Sequence, residues 1–110
     1  MSFEFRDTEV YKLSKVFYKD IKERLKEADA DRFITDQLRR ASLSISLNIA
    51  EGYGRFHKAD KRNFYVTARA SVYECVAGLD ILYEGKIPIE TLNTAEQLAK
   101  MLSGLIKVFG

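Results

Sequence analysis

His57, the only histidine in the chain, stands among Arg55, Lys58 and Lys61. A base flanked by cations that can hold a phosphate is the starting set for phosphodiester cleavage. The reaction also needs a second acid or base, and this stretch offers none. Cys75 is the only cysteine, so a Cys/His pair would have to be assembled from different helices, and no Ser/His/Asp arrangement or glycine-rich phosphate loop is visible. Metal binding at His57 could recruit only Asp60 and distant carboxylates. These residue types point away from an enzyme, a metal centre or a bound cofactor.

The same cations fit a binding surface better. Between Arg39 and Arg69, seven basic residues (Arg39, Arg40, Arg55, Lys58, Lys61, Arg62 and Arg69) stand against Glu51 and Asp60, a surplus of five in a chain of net charge +2. Arg55, Lys58, Lys61 and Arg62 gather at one turn and are interleaved with Tyr53, Phe56, His57, Phe64 and Tyr65. Clustered cations release counterions from phosphates, and aromatic rings offer faces on which unpaired bases stack. The corner is a candidate surface for RNA or DNA. The competing reading is a solvated turn whose aromatics plug the end of the core.

The elements that must position this corner are helices. Residues 1–110 are long enough for one domain, and a chain of this size buries roughly two-thirds of its unfolded surface, so a core without disulfides or metal is expected. Apolar residues make up 46% of the chain and charged residues 31%, with six Gly and a single Pro, a helix-rich composition. No run approaches the ~18 apolar residues of a membrane span, and with no leader pattern and a lone cysteine a soluble, cytoplasmic protein is expected. The periodicity predicts helices over about 8–28, 32–53, 60–84 and 90–108. In the first, Val10, Leu13, Phe17, Ile21 and Leu25 form one stripe. Asp31 is the expected N-cap of the second, Gly54 its left-handed terminator, and Gly85 closes the third. Short connections favour an all-α, antiparallel up-down-up-down four-helix bundle.

The second helix carries two apolar stripes. Ile34, Leu38, Ala41, Ile45, Ile49 and Gly52 lie on one arc, and Leu43, Leu47 and Ala50 cluster on the opposite side. One stripe serves the chain's own core. The other calls for another element or another subunit, which makes Leu43, Leu47 and Ala50 candidate oligomer-interface residues. Asn48, Glu51, Ser71 and Glu74 interrupt the apolar pattern. Pairing of helices two and three about the turn at His57 would let Asn48 bond to Ser71 or Glu74, and let Arg69 or Arg55 pair with Glu51 or Glu74, as an inter-helix polar network.

Arg39-Arg40-Ala41-Ser42, Ser44-Ile45, Asn48-Ile49-Ala50-Glu51-Gly52, Arg55, Phe64, Ala68-Arg69-Ala70-Ser71 and Glu74 together resemble the four-helix-bundle proteins encoded in 23S rRNA intervening sequences. Phe5-Arg6-Asp7 with Val10-Tyr11 also looks like that family's opening. One departure is Ala70, where many members have Gly before the Ser, which predicts slightly looser helix contact. The resemblance implies a homopentameric ring and a relationship to the accessory variability determinant proteins of diversity-generating retroelements, which bind nucleic acid and cooperate with a reverse transcriptase. By the same resemblance, Arg39, Arg40, Arg55 and Arg69 are the positions for nucleic-acid or partner contact, Arg39 and Arg69 equally for subunit contact.

Two functional readings follow. One is a non-enzymatic, oligomeric, RNA-associated or nucleic-acid-binding accessory protein that uses the corner between helices two and three. The other is a structural or protein–protein adaptor bundle with no nucleic-acid role.

Overall fold

Thr8 has extended backbone and its side chain accepts from the Tyr11 amide, so the chain enters its first helix with one of the orphan amides already satisfied. The computed structural model describes residues 2–110. A single 3-10 turn at Glu4–Asp7 precedes α1 (Glu9–Glu27), followed by α2 (Arg32–Gly54), α3 (Lys58–Leu82) and α4 (Ile89–Val108). Among the described residues there is no strand. Asp31 caps α2 by accepting from the Ile34 amide, as its short carboxylate predicts. Past α3, Glu84 and Gly85 both take positive φ (51° and 84°), and Pro88 caps α4. Gly85 supplies that conformation without a Cβ penalty.

The third helix begins at Lys58, earlier than its periodicity predicts, because the connection from α2 is only Arg55, Phe56 and His57. Gly54 is a correction. It lies inside α2 and takes no left-handed conformation, and Arg55 leaves the helix in extended backbone. The end of α2 is satisfied from another helix: Lys61 Nζ donates to the carbonyls of Tyr53 (2.7 Å) and Gly52 (3.3 Å). With those acceptors taken by an ammonium, a left-handed glycine cap is unnecessary.

Each helix neighbours two others, in the circuit α1–α2–α3–α4, and α2 against α3 is the most extensive contact. The core runs through Phe17, Ile21, Leu38, Ile45, Ile49, Val72, Cys75, Leu79, Leu98 and Leu102, all fully buried. The α2 and α3 backbones approach closely at two glycines. A Cβ on Gly78 would meet Leu38 Cδ2 at 2.6 Å, and one on Gly52 would meet Tyr65 Cε1 at 2.9 Å and Phe64 Cβ at 3.0 Å. Ser44 and Ser71 share a hydrogen bond of 3.1 Å between these two contacts.

Small hydroxyls are built into the helix contacts. Ser14 of α1 and Ser46 of α2 are both buried and 2.8 Å apart, and the buried Thr91 of α4 donates to Asp20 of α1 at 2.6 Å. None of these residues belongs to an apolar stripe, so the periodicity gives no sign of them. Ala70 is exposed on α3, on the side that faces the groove toward α4.

Gly52→Ala is expected to destabilise by up to about 2 kcal/mol. Overpacking against a fixed ring costs roughly 1–3 kcal/mol, and the helix propensity of Ala returns about 1. Gly104 has open space where its Cβ would sit, so Gly104→Ala should stabilise by roughly 0.5–1 kcal/mol. Urea unfolding of both variants checks the opposite signs.

Candidate nucleic-acid interface

Phe56 is 96% exposed, the barest large apolar side chain in the structure. The three-residue connection is too short to fold the ring back onto the bundle, so it projects from the tip of the α2–α3 turn. His57 beside it is exposed and makes no side-chain cap to α3. Lys58 and Arg62 are exposed and form no ion pair among the described residues, which leaves both free for an anion.

The other two cations of the turn, Arg55 and Lys61, are engaged within the protein. Arg55 pairs with Glu51 one turn back at 2.9 Å, and its guanidinium lies 4.7 Å from the Phe64 ring centre. A half-exposed pair of this type is worth only a few tenths of a kcal/mol, so Arg55 can still be recruited by a ligand. Lys61 has spent two of its protons on the end of α2 and is partly buried between the Tyr53 and Phe109 rings.

The seven cations therefore do not form one surface. Arg39 and Gly54, the last residue of α2 beside Arg55, are fifteen positions apart, about 22 Å along the axis at 1.5 Å per residue. Arg39 lines a shallow cleft with Lys22 and Lys26 of α1, at the other end of the bundle. Arg40 is exposed beside Leu43 and Leu47 by helical phase. Arg69 turns toward α4, donating to Ser103 at 2.8 Å and to the Tyr73 hydroxyl at 3.1 Å.

The polar network keeps the expected pair of Arg55 with Glu51 and otherwise differs from the sequence expectation. Asn48 does not reach Ser71 or Glu74. Its amide donates to the Ser44 carbonyl (2.8 Å) and hydroxyl (3.0 Å), and Ser44 in turn meets Ser71. Glu74 is exposed with no ion pair among the described residues, and Arg69 pairs with neither it nor Glu51. The reason is reach: Ser71 sits on the flank of α3 that faces α2, Glu74 points further out, and Arg69 lies on the flank that faces α4. The counterpart that the sequence left unnoticed is at the far end, where Arg24 contacts Asp20 (3.4 Å), Glu27 (3.5 Å) and Glu90 (3.7 Å). Its sequence signal is the helical spacing of Asp20, Arg24 and Glu27, which sets opposite charges four and three residues apart.

Leu43 and Leu47 are 43% and 55% exposed, and Ala50 is half-buried. On the other side of the bundle, Val66, Ala70, Tyr73 and Ile106 line a groove of about 520 Å³ between α3 and α4.

A family model described as 23S rRNA-intervening sequence protein matches residues 6–107. The chain belongs to this family. No curated protein and no solved structure matches it. The matched span takes in α1, α2, α3, the α2–α3 turn and all but the last residue of α4, so the basic corner belongs to the family's own part of the chain. Among the described residues no helix is long and apolar enough to cross a membrane.

Cys75 is fully buried, and burial, with Glu74 adding to it, pushes its pKa up from the usual 9.0 to about 12. The folded chain keeps the thiol proton well past the pH at which the unfolded chain releases it. The proton-linked stability is therefore whole below pH 9 and is lost as pH rises from 9 toward 12. Denaturant midpoints should fall across that window in the native protein and fall less in Cys75→Ala. A thiol reagent at neutral pH should label Cys75 only after unfolding.

Proposed function

We propose that this protein is a non-enzymatic, ring-forming RNA-associated accessory protein that contacts RNA through the α2–α3 corner. The observation that carries the reading is the bare Phe56 ring set beside the unpaired cations Lys58 and Arg62. An exposed ring offers a face on which a base can stack, and an unpaired base beside its phosphate complements both the ring and the cations. Arg55, loosely held by Glu51, is the third contact. The family's name associates it with 23S rRNA, which favours RNA over DNA as the first ligand to test.

Up-down-up-down topology is supported by the order of contacts between α2 and α3, where Leu38 meets Gly78, Ser44 meets Ser71 and Gly52 meets Tyr65. It places the α2–α3 turn, the start of α1 and the end of α4 at one end. The ring is supported by two unmatched apolar surfaces, the α2 stripe of Leu43 and Leu47 and the α3–α4 groove around Tyr73. Because they are different surfaces, one copy's stripe in the next copy's groove is a head-to-tail contact, which forms a ring when the rotation between copies closes. The ring repeats the basic corner once per copy, so weak single contacts add as avidity.

Fluorescence anisotropy with single-stranded and hairpin RNA across a salt series tests the RNA reading. Lys58→Ala and Arg62→Ala should each lower the slope of log K against log salt by about one, the share of a single neutralised phosphate. Phe56→Ala should cost about 1–3 kcal/mol with the slope unchanged. Absence of salt-sensitive binding at about 10 μM protein rejects it.

Light scattering tests the ring. The native chain should run as a multimer and Leu47→Arg as a folded monomer, since Leu47 contributes little to its own core. A native monomer overturns that part of the reading.

A further inference from the structure

A cavity of about 560 Å³ opens where the start of α1, the end of α2, the start of α3 and the end of α4 converge. Its size falls within the range of small-molecule sites, and its walls are mostly apolar, with Ile49, Leu105 and Phe109 among them. Two polar groups break that lining from one turn of α3. Tyr65 is only 3% exposed, and among the described residues its hydroxyl has no hydrogen-bond partner. The little exposure that Tyr65 keeps leaves that oxygen accessible from the cavity, where a ligand can reach it. Burial, with Tyr53 adding to it, raises its pKa above 10.0, so at neutral pH it is a donor. Lys61 lies four residues earlier, on the same face, and also lines the cavity. Two of its three protons go to the Gly52 and Tyr53 carbonyls, and the third is unclaimed.

The first turn of α1 adds a third contribution. The Tyr11 amide is taken by the Thr8 side chain and the Lys12 amide by the Thr8 carbonyl, leaving those of Glu9 and Val10, at the cavity wall, without an acceptor. The Glu9 carboxylate, also at the rim, is drawn off toward Lys12 at 3.8 Å.

We propose that this cavity binds a small amphipathic monocarboxylate, its apolar body against Ile49, Leu105 and Phe109 and its carboxylate on Lys61 Nζ and the Tyr65 hydroxyl. Two donors one turn apart match the two oxygens of a carboxylate. A phosphate dianion fits less well, because the α2 carbonyls already engage the ammonium and Glu9 adds repulsion at the rim. The site needs no RNA and lies inside the bundle end, behind the exposed Phe56 tip.

Titration of the full-length protein with octanoate, and with octan-1-ol as its uncharged counterpart, followed by two-dimensional NMR, tests the assignment. Octanoate should shift resonances of Tyr65, Phe109 and Leu105 and bind at least about 10-fold more tightly than octan-1-ol. Tyr65→Phe, which removes one oxygen and keeps the ring, should weaken octanoate about 10-fold and leave octan-1-ol unchanged. Lys61→Met should do the same. Because Lys61 also closes α2, Tyr65→Phe is the deciding variant if Lys61→Met melts early. Equal affinity for the two ligands, an unaltered octanoate affinity in Tyr65→Phe, or no cavity shifts at about 1 mM octanoate overturns the proposal.

Discussion

The close approach of α2 to α3 governs the architecture. It depends on Gly52 lying close to the Cδ1–Cε1 edge of the Tyr65 ring and on Gly78 leaving room for Leu38, contacts that a side chain at either glycine would push apart. Helices that approach this closely can be joined by three residues, and a turn that short cannot bury its own side chains. The exposed Phe56 ring and the free Lys58 and Arg62 are consequences of backbone proximity further down the helices. The same proximity brings Lys61 within reach of the α2 carbonyls, so the contact that shapes the turn also closes the end of α2.

Lys61 and Tyr65 show how one helical turn can carry unlike duties. Lys61 is a helix cap, a cation between two aromatic rings and a wall of the end cavity. Tyr65 supplies the ring against which Gly52 packs while its hydroxyl is left unmatched. The basic corner thus divides into an outward half, formed by Phe56, Lys58 and Arg62, and an inward half, formed by Lys61 and Tyr65. A count of charges along the chain merges the two, although they face different chemistry.

Polar residues between helices follow a common pattern. Ser14 with Ser46, Ser44 with Ser71, and Thr91 with Asp20 each place a short hydroxyl where two helices touch. Short side chains let the helices approach, and the paired hydroxyls leave no donor buried alone. Ser14 and Thr91 are fully buried for this reason, although their residue types are usually found at the surface.

Local features were legible in the residues alone: the four helices, the capping carboxylate of Asp31, the glycine stop at Gly85 and the surplus apolar stripe of Leu43 and Leu47. Each is written in a periodicity or a backbone preference that a few neighbouring residues establish. The family resemblance was legible for the same reason, in contiguous motifs. Which partner each polar group takes was settled by the packing of whole helices. Asn48 turned back to Ser44, Arg69 went to Ser103, and Lys61 replaced the expected left-handed Gly54. Those choices depend on the rotation and separation of the helices, and a side chain that spans two of them responds to distances that no local spacing encodes.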